Sequence, residues 1–177
     1  DVYIDPAVFE LEIKQIFNRS WLFVGHDSQV PNAGDFITTR LVNQPVIMIR
    51  HDDNTIHVLF NRCPHRGAKI CEHLSGNARP LRCPYHGWVF DSNGRMFSSA
   101  LHNDYDRPTV SESDLNMTTV PRSVNYRGFV FASLSHDGPD FEQTLGPILP
   151  AIDNLVDRSP LGEVELIPGI HKHVCPG

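Results

Sequence analysis

Two short stretches of the sequence each place a histidine shortly after a Cys-Pro pair: CPHRGA, beginning at Cys63, and CPYHGW, beginning at Cys83. His65 follows its cysteine by two positions and His86 follows its cysteine by three, with seventeen residues between His65 and Cys83. Two thiolates and two imidazoles suit a tetrahedral zinc ion, or a two-iron, two-sulfide cluster in which histidines replace cysteines on one iron. The motif therefore predicts two loops that meet around a metal centre.

The distribution of the four residues favours the dinuclear cluster over zinc. Zinc-finger units usually pair two cysteines on one loop and two histidines on the other, whereas each loop here supplies one of each. We expect Gly67 and Gly87 to let backbone N–H groups approach the sulfides, where hydrogen bonds tune the potential. At this point, a structural zinc protein remains the alternative binding-module interpretation, and iron and sulfide content would distinguish the two.

Composition indicates one ordinary globular domain, or one domain with pieces of another. The chain has 177 residues, of which 40% are apolar and 20% charged. It contains no apolar run long enough to cross a membrane, and its first residues lack the features of a signal peptide. Four cysteines in a chain of this size do not make a disulfide scaffold. We therefore expect a cytoplasmic protein with no membrane partner.

The net charge of −6 is unevenly distributed. Between residues 62 and 82, the single acid Glu72 is outnumbered by five basic residues: Arg62, Arg66, Lys69, Arg79 and Arg82. This basic segment is short and coincides with the metal-like motif, so nucleic acid is not an expected partner. A positive field there would favour an added electron and attract an acidic electron donor. The candidates for donor docking are Arg62, Lys69, Arg79 and Arg82.

Periodicity predicts mostly short strands. Asp5-Pro6 indicates the start of a helix over residues 6 to about 19. Strand-like runs are WLFVGH, DFITTRL, PVIMIR and TIHVLF, with a turn at residues 51–54 between the last two. WVFDSNGRMF predicts a hairpin that turns at Asn93-Gly94, and residues 126–134 predict one late strand. Residues 141–157 have a helical pattern that Pro147 and Pro150 interrupt.

Taken together, these motifs resemble a known family: the aromatic-ring-hydroxylating dioxygenases, in the N-terminal Rieske [2Fe-2S] portion of their large (alpha) subunit. The resemblance extends beyond the two loops to DPAVFELEIKQIFNRSWLFVGHDSQVPNAGDF and GNARPLRCPYHGWVFDSNGRM. It implies a mainly β fold of small, stacked antiparallel sheets, with a short N-terminal helix and a helical C-terminal extension. It also implies three segments: an N-terminal helical part (1–29), the Rieske domain (30–138) and the start of a catalytic domain or linker (139–177).

The resemblance implies roles for the loop residues. Cys63 and Cys83 would hold one iron, and His65 and His86 the outer one. The cluster surroundings would be Arg66, Gly67, Tyr85, Gly87 and Trp88. Respiratory Rieske proteins carry an extra, disulfide-bonded cysteine in each loop, but Ala68 and Tyr85 stand there in this chain. A potential near the lower end of the roughly −150 to +300 mV range is therefore implied.

The family also implies a mononuclear Fe(II) site, held by two histidines and a carboxylate, in a catalytic domain that this chain would lack. His171 and His173 are too close together for the expected helical spacing, and Cys71 and Cys175 are expected to be structural thiols. The remaining histidines are expected to be surface or satisfied polar residues.

The function implied is electron entry in a ring-hydroxylating oxygenase, with catalysis elsewhere. A reductase or ferredoxin would supply electrons. The large subunit would form a homo-oligomer, a trimer. A small beta subunit would accompany it in some members of the family and not in others. A free-standing Rieske ferredoxin, which is a carrier and no enzyme, is the alternative, but such carriers have near 100 residues. The sequence does not name the aromatic substrate.

Overall fold

The computed structural model describes residues 2–98, 111–167, 169 and 173–174. In this part of the chain, three small antiparallel sheets form most of the fold, with one helix before them and two after. The predicted mainly β class is confirmed. No helix among the described residues is both long and apolar enough to cross a membrane.

The first helix, α1, runs from Pro6 to Gln15, four residues short of its predicted end. Its start is as predicted: the Asp5 carboxylate accepts the N–H of Ala7 at 2.9 Å, and proline follows the cap. A single 3-10 turn, Phe17–Arg19, then replaces the last predicted turn. Of the α1 side chains only Ile13 is buried, so the apolar face of α1 is largely exposed.

The central sheet has the order β4-β3-β2-β5, with β2 at Asp35–Leu41, β3 at Gln44–Arg50, β4 at Ile56–Phe60 and β5 at Ser75–Asn77. Strand β3 carries four consecutive apolar residues, Val46 to Ile49, all fully buried. Such a run is typical of a strand that is covered on both faces. The predicted turn joins β3 to β4, where the Asn54 N–H donates to the His51 carbonyl at 3.0 Å.

A second sheet has the order β1-β10-β9 and corrects one prediction. Its strands are β1 at Leu22–His26, β9 at Arg122–Tyr126 and β10 at Phe129–Ser133. The single strand predicted over residues 126–134 is wrong, because the chain turns at Arg127 and Gly128, which have φ of +51° and +91°. Strand β9 escaped prediction because it is short and contains only two apolar side chains, Val124 and Tyr126.

The third sheet carries the second Cys-Pro loop. It contains β6 at Leu81–Arg82, β7 at Val89–Phe90 and β8 at Met96–Ser98, in that order. The predicted hairpin joins β7 to β8, and Gly94 adopts a φ of +88° in its turn. The second loop connects β6 to β7, and the first loop follows β4 of the central sheet. The two sheets thus hold the two loops.

The C-terminal helices are α2 at Phe141–Leu145 and α3 at Leu149–Asp157. Pro147 lies between them as predicted. Pro150 does not interrupt the pattern but lies in the first turn of α3, where the missing N–H costs nothing. Arg127 of the β9–β10 turn forms ion pairs with Asp153 at 3.2 Å and Asp157 at 2.6 Å, which fasten α3 to this sheet.

Candidate metal centre

The two Cys-Pro loops have the same backbone hydrogen bonds. In the first loop, the Cys63 N–H donates to the Ala68 carbonyl at 2.8 Å, and the Gly67 N–H donates to the Cys63 carbonyl at 2.9 Å. The second loop repeats both bonds at equivalent positions: Cys83 N–H to the Trp88 carbonyl at 2.8 Å, and Gly87 N–H to the Cys83 carbonyl at 3.0 Å. The loops are therefore structural equivalents, although their histidines occupy different positions.

The two glycines make the turns possible. Gly67 and Gly87 have φ of +74° and +70°, a region that other residues enter at a cost. The N–H group of each glycine donates to a carbonyl within its own loop, so the backbone N–H groups expected to approach the sulfides belong to other loop residues. The N–H groups that donate to the Cys63 sulfur belong to His65 and Arg66. These bonds stabilise the thiolate form of Cys63.

The two thiols lie together in the protein core. Cys63 and Cys83 are each 2% exposed, and their thiols lie beside each other. Burial, together with the neighbouring Cys83, raises the pKa of Cys63 to about 11 in spite of the two N–H donors. Two buried thiolates beside each other would repel, so a cation is needed to neutralise their charge. A bound metal supplies this positive charge when it replaces the thiol protons.

The two imidazoles also lie together, closer to the surface. The ring centroids of His65 and His86 are 4.6 Å apart, and both side chains are partly exposed. Burial lowers the pKa of His65, and the charges of His86 and Arg66 lower it further. His65 Nδ1 is itself buried and has no hydrogen-bond partner among the residues that the structure describes. A neutral imidazole with an unpartnered ring nitrogen fits a metal ligand.

Aromatic rings surround the imidazoles. Trp88 is buried and stacks on His65, with centroids 4.9 Å apart and planes 7° from parallel. Tyr85 is 59% exposed, and its ring centroid lies 3.8 Å from that of His86. The Arg66 guanidinium lies 5.9 Å from the Tyr85 ring centroid, so the first loop also contacts the second there.

Asn61 is a site residue that sequence reasoning missed. It is 3% exposed and lies two residues before Cys63. Its Nδ2 donates to the Cys71 carbonyl at 2.7 Å, and its Oδ1 accepts the N–H groups of Ile70 and Cys71 at 2.9 and 3.0 Å. Asn61 therefore fastens the two ends of the first loop segment to each other.

The basic residues differ in their contacts. Arg79 forms an ion pair with Asp52 at 2.7 Å, which offsets its charge. In the part of the chain that the structure describes, Arg62, Arg66, Lys69 and Arg82 have no carboxylate within salt-bridge distance. All four are exposed beside the loops. The positive field near the candidate centre therefore comes mainly from these four.

The other cysteines and several of the other histidines differ in their burial. Cys71 is buried, and burial raises the pKa of its thiol to about 12, as expected for a structural thiol. His26 differs from expectation, because it is 4% exposed and its Nε2 lacks a hydrogen-bond partner. His173 is exposed. His102, His171 and Cys175 lie outside the described residues.

The donor set fits a two-iron cluster. The two thiols lie beside each other, and so do the two imidazoles, so each pair could coordinate one iron. Among the described residues, His65 Nδ1 has no hydrogen-bond partner that would compete with a metal. Over residues 2–98, 111–167, 169 and 173–174, no three His, Cys, Asp or Glu side chains are grouped so that they could hold one metal ion.

Comparison with known proteins gives a family match for the loops. Residues 20–106 match the family model of the Rieske [2Fe-2S] domain. Biphenyl 2,3-dioxygenase subunit alpha of Rhodococcus jostii (strain RHA1) is 38% identical over 175 residues, covering 99% of this chain and 37% of that protein. The 2-halobenzoate 1,2-dioxygenase large subunit of Burkholderia cepacia is 34% identical over 179 residues, covering 100% and 38%. The chain thus spans between a third and two fifths of these relatives.

Solved structures give the same result for the fold. Naphthalene 1,2-dioxygenase from Rhodococcus sp., bound to indole, has a TM-score of 0.84 at 31% identity, covering 90% of this chain and 36% of that one. A quaternary ammonium Rieske monooxygenase has a TM-score of 0.79 at 27% identity, covering 88% and 43%. Similar folds therefore occur in oxygenases with chemically different substrates.

Proposed function

We propose that this chain, whose residues 20–106 belong to the Rieske [2Fe-2S] domain family, is the electron-entry domain of an aromatic-ring-hydroxylating oxygenase, as its similarity to dioxygenase alpha subunits supports. The observation that carries the proposal is the pairing of ligands across two equivalent loops. Buried thiols lie together, imidazoles lie together nearer the surface, and one imidazole nitrogen is buried without a partner.

In this proposal, Cys63 and Cys83 hold the inner iron, and His65 and His86 hold the outer one. Thiolates suit the buried position because a bound cation offsets their charge. The cluster would supply reversible storage of one electron. The protein residues would exclude water from the thiolate side and orient the imidazoles.

Electrons would enter and leave on the imidazole side. His65 and His86 are the ligands that reach toward the surface, and Tyr85 and Arg66 lie exposed beside them. Trp88 stacks against the His65 ring, and Gly67 and Gly87 adopt the positive φ that the turns of the two loops require. The exposed cations Arg62, Lys69 and Arg82 support docking of an acidic ferredoxin or reductase, with Arg79 contributing less because Asp52 offsets its charge.

The catalytic step belongs to a part of the protein that this chain does not span. The relatives are named for biphenyl, halobenzoate and similar aromatic substrates, which supports an aromatic substrate here. We propose that a mononuclear iron in that further part activates O2 and receives electrons from the cluster. We also propose that the large subunit forms a homo-oligomer, a trimer, with or without a small beta subunit.

The division into segments 1–29, 30–138 and 139–177 remains part of the proposal. One contact argues against the first boundary: β1 lies before residue 30 but pairs with β10, which lies within the segment 30–138. A cytoplasmic location remains part of the proposal, and Cys71, a buried thiol with no disulfide partner among the described residues, is in keeping with a reducing compartment.

The proposal is tested by comparing this chain with the protein encoded by the full reading frame. Both are purified without oxygen, reduced with dithionite, and mixed with O2 and biphenyl. The full protein should form a hydroxylated product, whereas the present chain should reoxidise without one. If the full frame encodes no second iron site and forms no product, the chain is a free electron carrier and the oxygenase proposal is wrong.

A further inference from the structure

An arginine immediately precedes the cysteine of each loop, Arg62 before Cys63 and Arg82 before Cys83. Because the two loops share their backbone hydrogen bonds, these arginines occupy equivalent positions. Each side chain extends across the glycine of its own loop. The pair therefore allows the effect of one charge to be compared between two nearly identical settings.

The two side chains differ in which atoms lie over the glycine. The position of a Cβ on Gly67 lies 3.9 and 4.0 Å from Cδ and Cγ of Arg62, which are aliphatic atoms. On Gly87, the equivalent position lies 3.7 and 3.9 Å from Nη2 and Nε of Arg82. The second loop is therefore covered by the guanidinium itself.

The charge of Arg62 is directed elsewhere. Its guanidinium carbon lies 5.8 Å from the ring centroid of Phe60, on the strand that leads into the loop. The Arg82 guanidinium instead lies over the residue that follows His86 in the chain. Neither arginine has a carboxylate within salt-bridge distance among the described residues. Of these two equivalent arginines, only Arg82 therefore places its guanidinium over the glycine of its own loop; the first loop carries its charge on Arg66, whose guanidinium lies 5.9 Å from the Tyr85 ring centroid.

We propose that Arg82 raises the reduction potential of the cluster, and that Arg62, its counterpart, has a smaller effect. The inference rests on the proposed cluster. With ferric ions, sulfides, thiolates and neutral imidazoles, the oxidised cluster is neutral, and one electron from a donor gives it a charge of −1. A nearby guanidinium stabilises the charged, reduced form more than the neutral one. The effect is limited by solvent screening, since Arg82 is exposed.

The test is a spectroscopic redox titration of the reconstituted chain and its charge-removing variants, with dithionite as reductant. Arg82→Gln should lower the ratio of reduced to oxidised cluster at a fixed potential by about two- to fivefold, as expected for a screened unit charge. Arg62→Gln should change this ratio by less than half as much. The double variant Arg79→Gln/Asp52→Asn is the control, because it removes an ion pair and leaves the net charge unchanged.

Two further measurements separate charge from packing. Arg82→Lys keeps the charge and should retain most of the wild-type ratio, and the Arg82→Gln effect should shrink in 1 M salt. If Arg82→Gln binds no cluster, Arg82→Met, which keeps the aliphatic stem over Gly87, replaces it. Loss of the cluster in both would make Arg82 structural and overturn the inference.

The inference and the proposed function can fail separately. If the wild-type chain assembles no iron–sulfur cluster, the proposed function fails. If the cluster forms with an unchanged spectrum but the Arg82→Gln and Arg62→Gln variants have the same potential, only the inference about Arg82 is wrong.

Discussion

The imidazole of His65 lies flat against the indole of Trp88, with ring centroids 4.9 Å apart and planes only 7° from parallel. Trp88 is buried and belongs to the second loop, whereas His65 belongs to the first. The stack therefore joins the two loops and fixes the plane of the His65 ring. A ligand ring with a fixed plane keeps its free nitrogen directed at one position, which is the requirement for a preorganised metal site.

Replacing Trp88 should loosen this ligand. Trp88→Leu removes the stacked ring from a buried position and should lower the free energy of unfolding by about 2–4 kcal/mol. The visible absorption of the cluster should bleach at a lower temperature. Trp88→Phe keeps an aromatic face and should lose about half as much or less. Equal bleaching temperatures for wild type and Trp88→Leu would show that the stack does not support the site.

The loop glycines provide a prediction with a matched control. Gly67→Ala and Gly87→Ala each force alanine to a positive φ, at a cost of about 1–2 kcal/mol. Because that strain lies within the ligand loops, both variants should bind less iron per chain after reconstitution. Gly162→Ala has nearly the same φ of +69° and open space around it. It should keep full iron content, and an equal loss in all three variants would contradict a local effect.

The sequence predicted the parts of this fold that follow from patterns of a few residues. The two Cys-Pro loops, the turn at residues 51–54 and the hairpin at Gly94 each have a local cause in proline, glycine or asparagine. The turn at Arg127 was missed because a single Gly128 within an apolar run is also compatible with a continuous strand. Arg127 itself has a positive φ, and its ion pairs with Asp153 and Asp157 are tertiary contacts that a local pattern does not encode.

Within the site, ligand identity was predictable but its supports were not. The spacing of cysteine and histidine is a local signal, and the resemblance supplied their roles. Burial of Asn61 is not local, because an asparagine after a strand is more often exposed. The difference between Arg62 and Arg82 depends on rotamers, which identical positions in equivalent loops do not reveal.

Asn61 should be important for stability although it is not a ligand. Asn61→Ala removes three hydrogen bonds and leaves the backbone N–H groups of Ile70 and Cys71 buried without their acceptor. The free energy of unfolding should fall by about 2–4 kcal/mol. Asn154→Ala, which loses one exposed bond to Arg158, is the control and should change it by less than about 0.5 kcal/mol. Similar denaturation midpoints for the two variants would contradict this role of Asn61.

Cys71 should behave as an inert thiol. Burial raises its pKa from 9.0 to about 12, so the native thiol stays protonated up to alkaline pH, and the thiolate that reacts with iodoacetamide is scarce. The raised pKa also makes the stability of the folded chain depend on pH. Its contribution is complete below pH 9 and is lost as pH rises from 9 toward 12, because the unfolded chain ionises first.

Alkylation followed by mass spectrometry checks this prediction. At pH 8, Cys71 of the folded chain should remain unmodified over a period in which the same residue in urea reacts fully. The denatured chain is the internal control for reagent activity. Modification of Cys71 at comparable rates in both states would mean that the thiol is accessible and its pKa is not raised.

The central claim is that the two loops hold a two-iron, two-sulfide cluster, and elemental analysis of the purified chain tests it most directly. The account predicts about two iron atoms and about two acid-labile sulfides per chain, with a single Rieske-type paramagnetic signal after one-electron reduction. Cys63→Ser and Cys83→Ser should abolish all three, because a hydroxyl is a poor substitute for a soft thiolate. One zinc atom per chain, with no sulfide, would contradict the account.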